Sequence, residues 1–201
     1  MTSAIMRGFD WRYLPIVLLL TVVAACAPSQ GMEHATAGHG VTDAQAPFDQ
    51  QFIDMMVPHH EGAVEMAKVA ATRAERPEIK QLAEAIVRDQ TREVGEMKGW
   101  RKAWYGSDQT PGWEKMPMLP EMKTPMGNMA DDVRRLQAAS PADRAFIDMM
   151  IPHHEAAVEA AQIAQQRAER AEIRQLAQGV IDAQTREIAQ MKAWRKAWYG
   201  S

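Results

Sequence analysis

The sequence predicts an all-α protein, a four-helix bundle made of two tandem αα-hairpins with a Met/Pro-rich connection between them. The stretch Phe52–Glu61, which reads Phe-Ile-Asp-Met-Met-Val-Pro-His-His-Glu, returns at Phe146–Glu155 with a single change, Val57 to Ile151. Around both copies, apolar residues recur at spacings of three and four, the period of an amphipathic helix. Two hairpins with matching apolar faces bury those faces against each other, either within one chain or against the same hairpin of another molecule.

Residues 1–25 are predicted to be a signal peptide outside the fold. Arg7 and Arg12 precede a short apolar run that ends in Val-Ala-Ala directly before Cys26. Small residues before a cysteine resemble a bacterial lipobox, so we expect a lipidated Cys26 and a periplasm-facing lipoprotein of the bacterial envelope, on the outer membrane in preference to the inner. The alternative is ordinary signal cleavage beside an incidental cysteine. Residues 26–46 are poor in large apolar side chains and are expected to be a flexible tether.

The first hairpin is predicted to occupy residues 47–107. Its first helix extends from about Phe48 to Ala74 and contains Pro58. A proline inside a helix removes one hydrogen bond, so we expect either a kink or an end and restart there. The second helix starts at Pro77, which the first turn tolerates, and stops near Gly106. The short turn between the helices makes them antiparallel neighbours.

The connection is predicted to occupy residues 108–140 and the second hairpin residues 141–201, with helices at roughly Pro141–Arg167 and Ala171–Tyr199. Closely spaced prolines exclude a long helix in the connection, although Asp131–Ala139 can form a short one. Methionines alternate with these prolines. They are candidate accessory metal ligands or a lid over an apolar seam, and the pattern favours neither: Met116, Met118, Met122, Met126 and Met129.

Methionine and histidine side chains are expected to converge within each hairpin. Residues four apart share a helix face, which puts Met55 below His59 and Met56 below His60. An antiparallel second helix brings Glu93 and Met97 towards them. The candidate metal ligands are Met55, Met56, His59, His60, Met66 and Met97 in the first hairpin, and Met149, Met150, His153, His154 and Met191 in the second. The counterpart of Met66 is Ala160, so the second site is expected to be weaker or different.

Thioether and imidazole together are ligands that soft monovalent copper accepts and that magnesium or calcium does not. The alternative is that the methionines are core residues, as methionines on a helix stripe usually are. Two adjacent histidines point about 100° apart on a helix, so one should face inward and the other sideways. His59 and His153 continue the apolar stripe and are expected to lie deeper.

The composition and the motifs limit the classes of function that this protein can have. A formal net charge of −3 and the lack of a recognition motif exclude a nucleic-acid partner. We expect a metal-binding protein that sequesters or delivers Cu(I), with copper or silver ions and, through the lipid anchor, a membrane as partners. A copper-transport partner protein and oligomerisation stay open. The alternative is a structural or partner-binding bundle without metal. A di-metal oxidase is disfavoured because no histidine follows a glutamate by three residues, so no enzyme and no catalytic cofactor are expected.

Both repeats resemble one known family. The motif Met55-Met56-Val57-Pro58-His59-His60 followed by Ala63 and Met66-Ala67, and then Gln90, Glu93 and Met97, is similar to the DUF305 family, a ferritin-like four-helix fold, here in two tandem copies. Some members resemble periplasmic copper-binding proteins of the CopM type. The resemblance implies copper binding and tolerance in the envelope, with Met55, Met56, His59, His60, Met66 and Met97 as the positions carried over.

Overall fold

A computed structural model describes residues 46–126 and 128–200 of the chain. The predicted signal peptide, Cys26 and nearly all of the predicted tether lie outside the described residues and stay predictions. Within the described ranges the secondary structure is entirely helical, which confirms the predicted fold class. The α-helices are α1 Phe48–Arg73, α2 Pro77–Tyr105, α3 Met129–Ala138, α4 Ala142–Arg167 and α5 Ala171–Tyr199, with one 3₁₀ turn at Trp113–Lys115.

The helix ends follow from local sequence chemistry. Pro77 lies in the first turn of α2, where a missing N–H is not needed. Gly106 and Gly200 terminate α2 and α5 with φ angles of 80° and 74°, a left-handed conformation that glycine adopts without steric cost. Helix α1 continues through Pro58 as one helix, and α4 does the same through Pro152. The burial of both helices therefore outweighs the hydrogen bond that each proline removes.

The two hairpins bury their apolar faces against each other within one chain. A first cluster joins residues 52–57 of α1 to residues 156–164 of α4 and 173–180 of α5. A second cluster joins residues 63–70 of α1 and 79–86 of α2 to residues 146–151 of α4. The start of each central helix thus packs on the end of the other, so α1 and α4 are antiparallel. The two histidine pairs lie between the clusters in both helices.

Two aspartates tie each hairpin to the turn of the other. Asp49, at the start of α1, accepts hydrogen bonds from the backbone N–H groups of Glu169 and Arg170, at 3.1 and 3.0 Å. Asp143, its counterpart in α4, accepts the equivalent bonds from Glu75 and Arg76 at 3.0 and 3.1 Å. The exchange is reciprocal, as an approximate internal two-fold requires. Both carboxylates are buried and satisfied by backbone donors at a helix start.

The connection lies over the bundle and breaks this symmetry. Leu119, Met122 and Met126 are buried in the first cluster, and Met129 at the start of α3 is buried in the second. Glu159 on α4 accepts hydrogen bonds from the backbone N–H groups of Lys123 and Thr124, both at 2.8 Å. None of the helices in the described part of the chain combines the length and apolarity needed to cross a bilayer.

Candidate metal centre

His59 and His153 stack on each other at the centre of the bundle. Their ring centroids are 3.7 Å apart and the ring planes differ by 32°. The two residues are equivalent positions of the two repeats, so they meet where the antiparallel helices α1 and α4 cross. Both side chains are buried, with 1% and 6% of their surface exposed. The sequence predicted their burial but not their contact.

The nitrogen atoms of this stacked pair are largely without partners. Neither Nδ1 nor Nε2 of His59 has a hydrogen bond, and Nδ1 of His153 has none. Nε2 of His153 lies 3.1 Å from the Sδ atom of Met129. A buried polar atom without a partner costs free energy and is rare in native proteins. Such atoms grouped at one point are candidates for ligands of a bound ion.

Burial keeps both imidazoles neutral. It is the main cause that lowers the pKa of His59 well below its usual range, and the neighbouring His60 and His154 lower it further. For His153 the same burial acts first, followed by the charges of His59, His154 and His60. A neutral imidazole keeps a lone pair on one ring nitrogen, which is the form that binds metals.

The outer histidines are held by carboxylates from the neighbouring helix of their own hairpin. His60 Nε2 lies 2.9 Å from Glu93 on α2, and His154 Nε2 lies 2.7 Å from Glu187 on α5. One histidine of each pair thus faces the bundle centre and the other a neighbouring helix, as expected. The expected difference in depth is wrong, because His60 and His154 are fully buried as well. A proton on Nε2 would leave Nδ1 as the acceptor, and Nδ1 has no partner in either ring.

Methionine sulfurs lie on both sides of the histidine centre. Met55, Met56 and Met97 are buried together in the first cluster, as the helix spacing predicted. Met66 lies instead in the second cluster with Met150 and Met191. The position of Ala160 belongs to the first cluster, so that cluster lacks the thioether that Met66 contributes to the second. The role of Met66 as a metal ligand stays a prediction. Met149 is half-buried against the second cluster.

The connection methionines take three different environments. Met122 and Met126 are buried in the first cluster and Met129 in the second. Met116 is half-buried and packs against both. Met118 is 45% exposed. Covering an apolar seam accounts for most of these positions, while Met129 also contacts an imidazole nitrogen.

The donor set selects the kind of metal that fits. In the described part of the chain no three side chains among histidine, cysteine, aspartate and glutamate converge as a metal site. At the histidine centre the donor next to an imidazole nitrogen is the thioether of Met129. Sulfur and neutral imidazole suit a soft ion, whereas a hard divalent cation requires several oxygen ligands.

The packing of Gly62 and the unpaired amide oxygens of two buried glutamines, one of them the Gln90 of the family motif, were not predicted from the sequence. Gly62 packs under Met129, and the buried amides of Gln90 and Gln184 each have a side-chain oxygen without a partner. The glutamines occupy equivalent positions of the two repeats, so recurrence of a polar residue on an apolar stripe was the signal. Gly62 carried a different signal, because its counterpart in an otherwise matching stretch is Ala156.

Comparison with known proteins identifies relatives over most of the described chain. The family model described as "Domain of unknown function (DUF305)" matches residues 49–195, a single span that includes both repeats. CopM, solved in the Cu(I)-bound form, is 41% identical to this chain in sequence. The match covers 75% of this chain and 97% of the CopM chain, with a TM-score of 0.63. CopM structures with Cu(II) and with silver are similar in the same way.

Two further relatives are more distant or shorter. A DUF305 protein from Streptomyces coelicolor, described as secreted, is 26% identical over 71% of this chain and 88% of its own, with a TM-score of 0.62. The uncharacterised protein L153 of Acanthamoeba polyphaga mimivirus is 43% identical over 49 residues. That match spans 24% of this chain and 32% of the viral protein, so it concerns only a part of either.

Proposed function

We propose that this chain, which belongs to the DUF305 family, binds a soft monovalent metal ion, Cu(I) or Ag(I), at the centre formed by His59, His153 and the methionines beside them. One observation carries the proposal. Two neutral imidazoles are stacked in the bundle core, and three of their four nitrogen atoms lack a hydrogen-bond partner. An ion would bind to ring nitrogens of this pair, and it would do so among thioethers rather than carboxylates.

The stacking geometry limits where such an ion can sit. The lone pair of an imidazole nitrogen lies in the plane of the ring, and the two ring planes are tilted by 32° at a centroid distance of 3.7 Å. An ion would therefore bind at the edge of this ring pair, in line with a ring nitrogen, and not between the rings. The thioethers of the two clusters lie along α1 and α4 on either side of the histidine positions. Neutral ligands bind without losing a proton, which keeps the site effective until the imidazoles protonate.

The relatives support this proposal. CopM, the 41% identical structural neighbour, is known with Cu(I), Cu(II) and silver bound. Membership of a family does not by itself establish a function, so the proposal depends mainly on the histidine centre. We further propose sequestration or delivery of copper in the bacterial envelope. Its support is the predicted signal sequence and lipobox and a relative described as secreted.

We propose binding rather than catalysis, with a copper-transport protein as the partner for delivery. The enzyme alternative would use two metals held by carboxylates, and the histidines here contact a ring, a thioether or one glutamate each. We also propose that the repeats are two copies of one ancestral hairpin of the family, since the residues at the centre and the aspartate clamps recur in both.

Titration with Cu(I) under reducing conditions against a competing chelator tests the proposal. The variants His59→Phe and His153→Phe keep a planar ring in the stack and remove the nitrogens. We expect each to weaken Cu(I) binding about 100-fold or more, since even an outer partner of a ligand is worth about 10–100-fold. The control is Phe52→Leu, which changes core packing on α1 without removing a donor.

The results that would contradict the proposal are equally definite. Wild-type binding that is only micromolar or weaker, and that the histidine variants do not change, would leave a helical bundle without a metal function. Equal losses in the histidine variants and in Phe52→Leu would assign the effect to packing alone.

A further inference from the structure

A glycine distinguishes the first repeat from the second next to the histidine pair. Residues 59–67 and 153–161 are identical except at two positions, Gly62 against Ala156 and Met66 against Ala160. Both glycine and alanine are accommodated in a helix, and glycine is the less favourable of the two by roughly 0.5–1 kcal/mol. A glycine at this point of a well-packed helix therefore indicates that the space of a methyl group is used by something else.

The side chain of Met129 uses that space. A Cβ atom built on Gly62 would lie 2.7 Å from both Cγ and Sδ of Met129, far inside normal contact. The glycines in the interiors of α2 and α5, by contrast, would meet nothing within 4 Å. Met129 is 2% exposed, so its side chain is enclosed by the bundle at this point.

Met129 is held at this point by the start of α3. Asn128 precedes the helix, and its side-chain oxygen accepts a hydrogen bond from the backbone N–H of Asp131 at 3.1 Å. This cap fixes where α3 begins, and Met129 is its first residue. The sulfur that enters over Gly62 lies 3.1 Å from His153 Nε2. Bond lengths of about 2.0 Å to nitrogen and 2.3 Å to sulfur, as in zinc sites, put two donors of one ion about 3.0–3.7 Å apart at angles of about 90–120°.

We infer that Gly62 and Met129 convert a two-fold symmetric histidine pair into one preferred, one-sided soft-metal site, with His153 Nε2 and Met129 Sδ as two ligands of the first ion bound. This inference rests on the proposed function and adds the location and the order of filling. On the other side of the axis Ala156 carries a methyl group, and His59 has no thioether contact at either nitrogen. Near-identical repeats therefore bind metal unequally.

Competition titrations with Cu(I), and in parallel with Ag(I), test the inference on purified wild-type protein and two variants. Met129→Leu removes the sulfur and keeps the size of the side chain, and Gly62→Ala displaces the sulfur without removing it. We expect both variants to bind the first ion at least about 10-fold more weakly. X-ray absorption of the singly loaded protein should lose one sulfur neighbour of the ion in Met129→Leu. The control Leu136→Val alters packing on the same face of α3 and should keep both the affinity and the sulfur count.

A second measurement makes the packing part testable without metal. In the apo protein, Gly62→Ala should lower the melting temperature, because the new methyl group collides with Met129. In the background of Met129→Ala only the Cβ atom remains, at 3.1 Å, and Gly62→Ala should then lower the melting temperature by less or raise it. Equal effects in the two backgrounds would overturn the assigned contact.

Different experimental results would overturn this inference and the proposed function. A wild-type protein that binds Cu(I) tightly, with Met129→Leu equal to it in affinity and sulfur count, overturns the one-sided site and leaves the proposed function standing. A wild-type protein that takes up neither ion overturns both.

Discussion

Replacing both stacked histidines by phenylalanine is expected to reduce the loss of stability of the metal-free protein between pH 6 and pH 5. Burial holds the pKa of His59 and of His153 well below the value of 6.5 that an exposed histidine has. As the pH falls, these two histidines therefore take up protons at a higher pH in the unfolded chain than in the folded protein. The contribution of the pair to stability is fully present above about pH 6.5 and is lost as the pH falls below that value.

The magnitude follows from the linkage relation. If both imidazoles stay unprotonated in the folded protein down to pH 5, each histidine lowers the free energy of unfolding by about 1.2 kcal/mol between pH 6 and pH 5, and the pair lowers it by about 2.4 kcal/mol. Urea unfolding of the apo protein at pH 7, 6 and 5 measures this loss. His60, His154 and the carboxylates are common to wild type and variant, so the difference between the two pH profiles isolates the stacked pair.

The double variant His59→Phe, His153→Phe keeps two planar rings in the core, and its absolute stability does not enter the comparison. We expect its loss between pH 6 and pH 5 to be smaller than that of the wild type by about 2 kcal/mol. Two results would refute the reasoning: a wild-type loss of less than about 1 kcal/mol, or the same pH profile in wild type and variant.

Three further predictions concern single contacts. Asp143→Asn weakens the two hydrogen bonds to the turn of the other hairpin and should lower the free energy of unfolding in urea by about 1–3 kcal/mol. The control Asp182→Asn, at an exposed position, should lower it by under about 0.5 kcal/mol. Equal effects of the two substitutions would contradict a stabilising role of the Asp143 hydrogen bonds. Gly95→Ala should stabilise α2 by about 0.5–1 kcal/mol, since its methyl group meets nothing within 4 Å, and a lowered melting temperature would contradict that. With His60 as a further ligand of the same centre, Glu93→Gln should weaken Cu(I) binding about 10–100-fold in chelator competition, because Glu93 holds the His60 ring; unchanged affinity would contradict this role of the carboxylate.

The sequence by itself determined the helices and the chemistry of their inner faces. Three signals act within one turn of helix: the apolar period of three and four, the proline at the start of α2 and the glycines after α2 and α5. Their effect is local and can therefore be predicted from the sequence. The same holds for Met55 below His59 and for Glu93 opposite His60, because a short turn fixes the antiparallel register of a hairpin. The repeat also implied that two such hairpins would pack together.

The tertiary structure alone decided which residues of different hairpins meet. His59 contacts His153, Met66 joins the methionines of the second hairpin, and Met129 reaches His153 over Gly62. Each of these contacts depends on where α1 crosses α4 and on where the connection returns to the bundle. Helical period leaves that crossing point undefined, since every register along the same apolar stripe buries a similar surface. Packing of whole side chains selects one register, and this selection brings the imidazoles and the thioether together.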